Sequence, residues 1–483
     1  MIFIEFNILD HLDVVLSLIL YTELHFKFKW CGSRYFKKEP EILSDIPIRI
    51  EPGKDIPVLL LIKDSTHYPI NLISIEINVY DSNKIINTYI EEYNIYLNIL
   101  WWYQTIFIKT NNLSGSIDID VIFKYKINNK IKKCYIHNYP LSNHKKLNTF
   151  VSKHKYPNNG NISYGDLHYH SNLTEDMVEF GAPLDSTLIA AESMGLDFFC
   201  NTDHSYDLDD MPGSWIETDP DLTKYNKSRL LIKKLNNSRK FKSFIIPSEE
   251  LSLHNQRNEN VHALILNNKK FLPGSGDGAE KPFNFSCDYN TENVYNDLED
   301  NALCIAAHPF TKVPFIHWIF FKRGKWNDID ILPQKMTGLQ LMNGSLDKTY
   351  YQSIEIWKQL LLKEYKKYIY AGNDAHGNFN LYRQIEIPML IIKEKKEQLF
   401  GKFRTGVNLA SKSKNIINII NNLRIGNCFI TSGPLILINI DSDNKLINMG
   451  STFDKNHFTL NIEIISSEEF GLIDNVVLIR GII

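Results

Sequence analysis

Between residues 162 and 376 the chain runs through seven short apolar segments: "ISYGDLH", "LDFFCNTDH", "SFIIPSEE", "NVHALIL", "LCIAAHP", "GLQLMN" and "YIYAGNDAH". Each has the length of a strand, and helix-like stretches fall between several of them. In "PLDSTLIAAESMG", Leu184, Leu188, Ile189 and Met194 share one helical face and Gly195 stands where a C-cap belongs. "TENVYNDLEDN" and "TYYQSIEIWKQLLLKEYKK" are expected to be further helices. Strands alternating with helices imply an α/β fold on a parallel sheet or barrel, where chemistry gathers at the C-terminal strand ends.

The flanks read differently. From about 45 to 140, "IPVLLLIKD", "NLISIEINVYD", "WWYQTIFIKT" and "IDIDVIFKYKI" are β-branched and aromatic runs with period-2 alternation, the pattern of an antiparallel sandwich. "SNHKKLNTFVSKHKYPNNGN" (142–161) is polar, then rich in Pro, Asn and Gly, and reads as a linker. After a last helix in "SKNIINIINNLRIGN", the runs "NCFITSG", "LILINID", "HFTLNIEII" and "NVVLIRG" return to β. A length of 483 residues allows about three domains. We place them at 1–150 (β-rich, sandwich-like), 161–435 (α/β) and 436–483 (a small β appendage).

Composition narrows the function classes. A hydrophobic content of 43% with 23% charged residues is that of a soluble globular protein. A net charge of −3 argues against a nucleic-acid partner or an electrostatic membrane binder. The six cysteines, at 31, 134, 200, 287, 304 and 428, show no CxxC spacing, which favours a reducing compartment. The N-terminal "VVLSLIL" is flanked by acids, lacks a basic start and is too short to span a bilayer. A cytoplasmic protein without a membrane span is therefore expected.

Chemistry concentrates at the ends of the central apolar runs. In "YGDLHYHSNLTED" (164–176), His168 and His170 stand at i and i+2, so a strand aims both at one point, with Asp166 before them and Glu175 and Asp176 behind. The second run ends in Asp203 and His204, and the third in Glu249 and Glu250. His262 lies within the fourth, His308 closes the fifth, and Asp374 and His376 close the last at another i,i+2 spacing. Imidazoles converging with carboxylates are a site for zinc, manganese or iron. A lone histidine on a strand is more often a satisfied core residue; this many together point to metal.

"GDLHYHS", "NTDH", "PSEEL", "AAHP" and "GNDAHG" resemble, in order, the motifs of the PHP (polymerase and histidinol phosphatase) family over roughly 161–435. The likeness is to the branch with an N-terminal β domain and a "TSGP" segment, here Thr431 to Pro434. It implies a distorted seven-stranded (β/α) barrel. It also implies His168, His170, His204, Glu250, His308, Asp374 and His376 as ligands of two or three divalent ions, with Glu250 bridging. Glu249 is the neighbour that could take that place, and Asp203 and Asp166 would orient the histidines. Where the family has "SDG" this chain has "TED", so either Glu175 or Asp176 is the further ligand, and the third ion hangs on it. His262 is either a ligand or a core histidine.

Cations so placed would lower the pKa of a water and polarise an ester, with no need of a Ser or Cys nucleophile. No G-x-S-x-G elbow is present. The expected activity is a metal-dependent phosphoesterase acting on a small phosphorylated ester. The alternatives are a carboxylic ester or carbamate hydrolase on the same metals, or a non-catalytic binding protein. Catalytic roles are expected of Glu250 and Asp203, with Arg383 or Lys312 as a cationic clamp on phosphate. The Gly-rich "LPGSGDGAEKPF" (272–283) reads as a loop or lid, and the aromatic "VPFIHWIFFKRGKW" (313–326) as a site wall or as rim packing.

Overall fold

The computed structural model describes residues 39–482 apart from 140–143, 175–180, 212–213, 215–216, 278–283, 314–317, 319–321, 334, 381, 387–392, 396, 411–412, 443–444 and 455–456. The contacts divide it into two units: 1–153 with 177–179 and 378–399, and 154–176 with 180–377 and 400–483. The N-terminal segment singled out in the sequence and Cys31 lie outside the described residues. Among the described residues, no helix is long and apolar enough to cross a membrane.

In the first unit β1 (Glu41–Asp45), β3 (Ile56–Lys63) and β6 (Trp101–Ile108) form one antiparallel sheet in the order β1-β3-β6. A second runs β2-β9-β7-β4-β5, with β2 (Arg49–Ile50), β4 (Ile70–Asp81), β5 (Lys84–Leu97), β7 (Gly115–Ile127) and β9 (Leu147–Val151). β8 (Lys130–Tyr135) pairs with β7. Strict alternation in β7 buries Ile117, Ile119, Val121, Phe123 and Tyr125 against Val58, Leu60 and Ile62 of β3 and Ile75 and Ile77 of β4. The segment read as a linker contains β9, whose alternation "LNTFV" lays Leu147, Thr149 and Val151 inward.

The second unit holds a ten-stranded sheet. β10 (Ile162–His170), β11 (Phe198–Asn201) and β12 (Phe244–His254) are parallel neighbours, joined through α1 (Leu184–Met194), α2 (Ser205–Leu208) and α3 (Thr223–Asn236). β13 (Asn260–Leu266) then runs antiparallel to β12 and to β14 (Leu303–Ala306). α4 (Asp328–Ile331) precedes β15 (Met336–Met342), and α5 (Lys348–Leu362) leads to β16 (Tyr368–Ala371), both strands being parallel to β14. The two-residue β17 (Ala375–His376) pairs with the end of β10.

The chain then supplies β18 (Tyr382–Glu386) and β19 (Lys393–Lys395), a pair that belongs to the first unit. β20 (Arg404–Asn408) and, after α6 (Ile416–Arg424), β21 (Cys428–Thr431) extend the large sheet antiparallel beyond β10. The Thr405 hydroxyl of β20 bonds both the N–H (2.9 Å) and the C=O (3.0 Å) of Ala371 on β16, so the sheet curls until it nearly closes. β22 (Leu435–Ser442), β23 (Lys445–Ile447) and β24 (Thr459–Ile465) form a separate antiparallel sheet.

This corrects the expected α/β fold: the distorted seven-stranded (β/α) barrel is not what forms. The sheet is large, mixed and nearly closed, and strand outweighs helix. A parallel crossover needs about a dozen residues, but only the five residues 255–259 separate β12 from β13, and they turn at Asn258 (φ 58°). Between β13 and β14 the expected helix in "TENVYNDLEDN" is only a 3-10 turn, Val294–Asn296. Glu250 consequently sits in the middle of a hairpin, opposite Leu264, rather than at a strand end, and His262 lies within the partner strand opposite Ser252.

Candidate metal centre

The interior of the ten-stranded sheet is polar where these strands meet. His168 and His170 are fully buried at the end of β10, on one face of the strand. Asp374 is brought to them by the turn after β16, where its N–H donates to the His168 carbonyl (2.9 Å). That approach requires Gly372, since a Cβ there would lie 2.6 Å from the Cβ of His168. Asp374 (φ 53°) and His308 (φ 29°) are both non-glycine residues in left-handed backbone, a strain that accumulates at functional sites.

Glu250 is the hub. Its Oε2 lies 3.3 Å from His168 Nε2, 3.2 Å from His170 Nε2 and 3.2 Å from His204 Nδ1. Its Oε1 lies 2.7 Å from His262 Nδ1 and 3.3 Å from His308 Nε2. Alternation along β12 explains why Glu249 does not compete: adjacent residues face opposite ways. Glu249 accepts instead from Arg229 (2.9 Å) and from the Ser205 hydroxyl (3.1 Å).

Three sets of ligand atoms are close enough to hold a cation: His168, His170, Glu250 and Asp374; His204, Glu250 and His262; and His170, His204 and His376. In the first, His168 Nε2 and His170 Nε2 are 3.0 Å apart, and Asp374 Oδ1 is 3.1 and 3.3 Å from them. A tetrahedral zinc site with bonds of 2.0–2.2 Å has ligand-to-ligand edges of about 3.3–3.6 Å. The observed edges are a few tenths of an ångström tighter or equal, and the donor set fits.

Hydrogen bonds orient the imidazoles for that role. The Gln340 amide donates to the Gly372 carbonyl (3.0 Å), which turns its oxygen to accept from His168 Nδ1–H (2.9 Å) and from the His308 N–H (3.3 Å). The Thr174 hydroxyl donates to Asp203 (3.2 Å) and so accepts from His170 Nδ1–H (3.3 Å). His376 Nδ1–H donates to the Asp374 carbonyl (3.2 Å). In His168 and His170 the bare Nε2 atoms therefore face each other, an arrangement that needs a proton or a cation between them.

The electrostatics agree. Burial would lower His168, but Asp374 and Glu250 outweigh it and raise its pKa to about 9. Burial would raise Glu250, yet His262, His168 and His204 hold it well below the usual carboxylate range. Asp374 is likewise held low against burial, first of all by the charge of His168. His204 is pushed well down by burial and by the neighbouring His170.

The carboxylates expected to orient the ligands touch none of the Nε2 atoms. Asp203 accepts from the Ser171 N–H (2.6 Å) and hydroxyl (2.8 Å) and from Asn201 (2.8 Å). Asp166 accepts from the N–H groups of His168, Asn373 and Gly401 and from the Asn373 amide, tying β10 to the Asp374 turn. Lys312 is exposed on the loop after His308. Arg383 falls on β18 of the first unit, with its side chain outside the described residues, as are Glu175 and Asp176.

Five groups escaped the sequence reading. Arg323, from the aromatic insertion, contacts His262 Nε2 and pairs with Asp277 (2.8 Å). Asp277, from the Gly-rich loop, also faces His262 Nε2 (2.8 Å). Gln340 was visible only as a lone amide in "GLQLMN", and Thr174 as a small polar residue after the His-x-His. Trp326 of the insertion is buried and donates to the His262 carbonyl (3.1 Å). No protein-family model matches the chain, and no curated protein matches it either. What the residues can do is bring together buried His, Glu and Asp groups that could hold a metal ion.

Proposed function

We propose that the protein is a metal-dependent hydrolase, a phosphoesterase that works with two or three divalent ions of zinc, manganese or iron. The observation that carries this reading is Glu250, whose two carboxylate oxygens lie within 3.3 Å of five imidazoles. A carboxylate so placed suits a bridge between cations. Bound divalent ions supply a water of lowered pKa and Lewis-acid polarisation of the substrate oxygen. The ordered sequence motifs that resemble the PHP family support the same reading.

The chain's own groups then divide the work. His168, His170, Glu250 and Asp374 would hold one ion. Glu250, His204 and His262 would hold a second, with His308 beside Glu250, while His376 forms with His170 and His204 an overlapping set that would compete for His170. Gln340, Thr174 and Asp166 keep the ligands aimed. Arg323 is a guanidinium beside His262 with a quarter of its side chain exposed, which suits an anionic substrate and favours a phosphate over a neutral ester.

The test is metal-loaded protein assayed on p-nitrophenyl phosphate, bis-p-nitrophenyl phosphate and p-nitrophenyl acetate, beside Asp374→Ala and His376→Ala. Metal-dependent phosphate release that disappears in both variants supports the proposal. Cleavage of the acetate alone would replace it with a carboxylic ester hydrolase.

A further inference from the structure

The first unit contains a cavity of about 640 Å³, within the range of about 300–1,000 Å³ usual for small-molecule sites. It is lined from β7, from β8 and the residues after it, from Glu39 before β1 and from Lys146 before β9. Between two of its lining residues stands Ile136, at φ 61° a β-branched residue in left-handed backbone. The His137 N–H donates to the Tyr135 carbonyl (2.6 Å), closing a three-residue γ-turn of the rare positive-φ kind. The turn is held by the Ile136 N–H on the Val121 carbonyl (2.7 Å) and by Ser44, whose N–H (2.7 Å) and hydroxyl (3.0 Å) both donate to the Ile136 carbonyl. Tyr135 and His137, on either side of it, both line the cavity.

Charge gives the cavity its preference. Lys132, Lys133 and Lys146 face two carboxylates, Glu39 and Asp120. Glu39 is already engaged by the Tyr125 hydroxyl (2.7 Å) and by Lys132 (3.2 Å). Lys146 lies over the Tyr80 ring, 3.3 Å from its centre, and its charge acts on Asp120. Lys133 is exposed, and among the described residues no carboxylate lies within 4.0 Å of it. One positive charge is left over, beside the imidazoles of His137 and His144 and the exposed ring of Tyr135.

We infer that this cavity binds a small organic anion, with a single phosphate or carboxylate head group held by the left-over charge of Lys133 and with Lys146 at the same wall. Among the described residues, the cavity shares no lining residue with the metal centre. The test uses the metal-loaded full-length chain, titrated calorimetrically and soaked as crystals with phenylphosphonate, phenylacetate and uncharged benzyl alcohol. Variants are Lys133→Glu/Lys146→Glu and, separately, Asp374→Ala. The expected result is one of the two anions seated in the cavity, and which one names the head group. Its affinity there should fall at least about tenfold in the double variant and stay unchanged in Asp374→Ala. Should the double variant fail to fold, the exposed Lys133→Glu alone carries the comparison. Density only at the metal centre, equal affinity in the lysine variants, or benzyl alcohol bound as tightly would each overturn the inference.

Discussion

Along β7 of the first unit every second residue from Ile117 to Tyr125 points into an apolar interior. β10 of the second unit is buried along its whole length, yet it carries Asp166, His168 and His170. Apolar burial of the first kind stabilises a fold by about 25 cal/mol for each Å² removed from water. Burial of the second kind opposes folding unless partners or a cation compensate the charge. The first unit's interior is therefore explained by stability, and the second's calls for a use. The contrast repeats within β12, where Glu249 is satisfied by Arg229 and Ser205 while Glu250 is faced by five imidazoles.

The largest effect that would sharpen this contrast is expected from Glu250→Ala. It removes the shared ligand, so bound metal should be lost and turnover should fall by about a thousandfold or more, read by metal analysis and initial rates. Phe123→Ala in the first unit should do the converse. Denaturant unfolding should show a loss of about 3–5 kcal/mol, with metal content unchanged. If Phe123→Ala also emptied the metal centre, the separation drawn between the two interiors would fail.

Chelation gives the next effect. In metal-free protein a proton on His168 takes the place of the cation, and its folded pKa of about 9 stands above the unfolded 6.5. That contribution is complete below pH 6.5 and is lost as pH rises through about 9, on the order of 3 kcal/mol in all. Melting curves of chelated protein should therefore decline between pH 6.5 and 9, while metal-loaded protein holds its midpoint. Parallel curves would mean that no cation and proton compete there.

Smaller still, Gln340→Met leaves every ligand in place but frees the His168 ring, and metal affinity should fall about 10–100-fold in a competition titration. Lys312→Ala is expected to leave the steady-state parameters within about twofold, as befits an exposed loop cation. A large rise in KM there would restore Lys312 as the phosphate clamp and displace Arg323.

The strands of the second unit were legible because apolar runs of that length mark themselves, and the i,i+2 spacing of His168/His170 told that these two side chains share a face; the same spacing at Asp374/His376 has another origin, since Asp374 lies in a left-handed turn before the two-residue β17. Strand direction was not legible. Whether β13 returns antiparallel depends on five polar residues, 255–259, and on a helix that does not form in "TENVYNDLEDN". Arg323 and Asp277 were hidden for another reason: they reach His262 from segments 61 and 15 residues away in sequence, and no local pattern announces such a contact. Glu250 could not be told from Glu249 until the register of β12 was known.

The most direct test is metal stoichiometry. Protein purified without chelator, and again after reconstitution with zinc, manganese or iron, should be analysed by plasma mass spectrometry beside Glu250→Ala. The account predicts about two to three equivalents per chain in the native protein and a loss of most of them in the variant. Native protein that binds none after reconstitution, or a Glu250→Ala variant that binds as much, would contradict it.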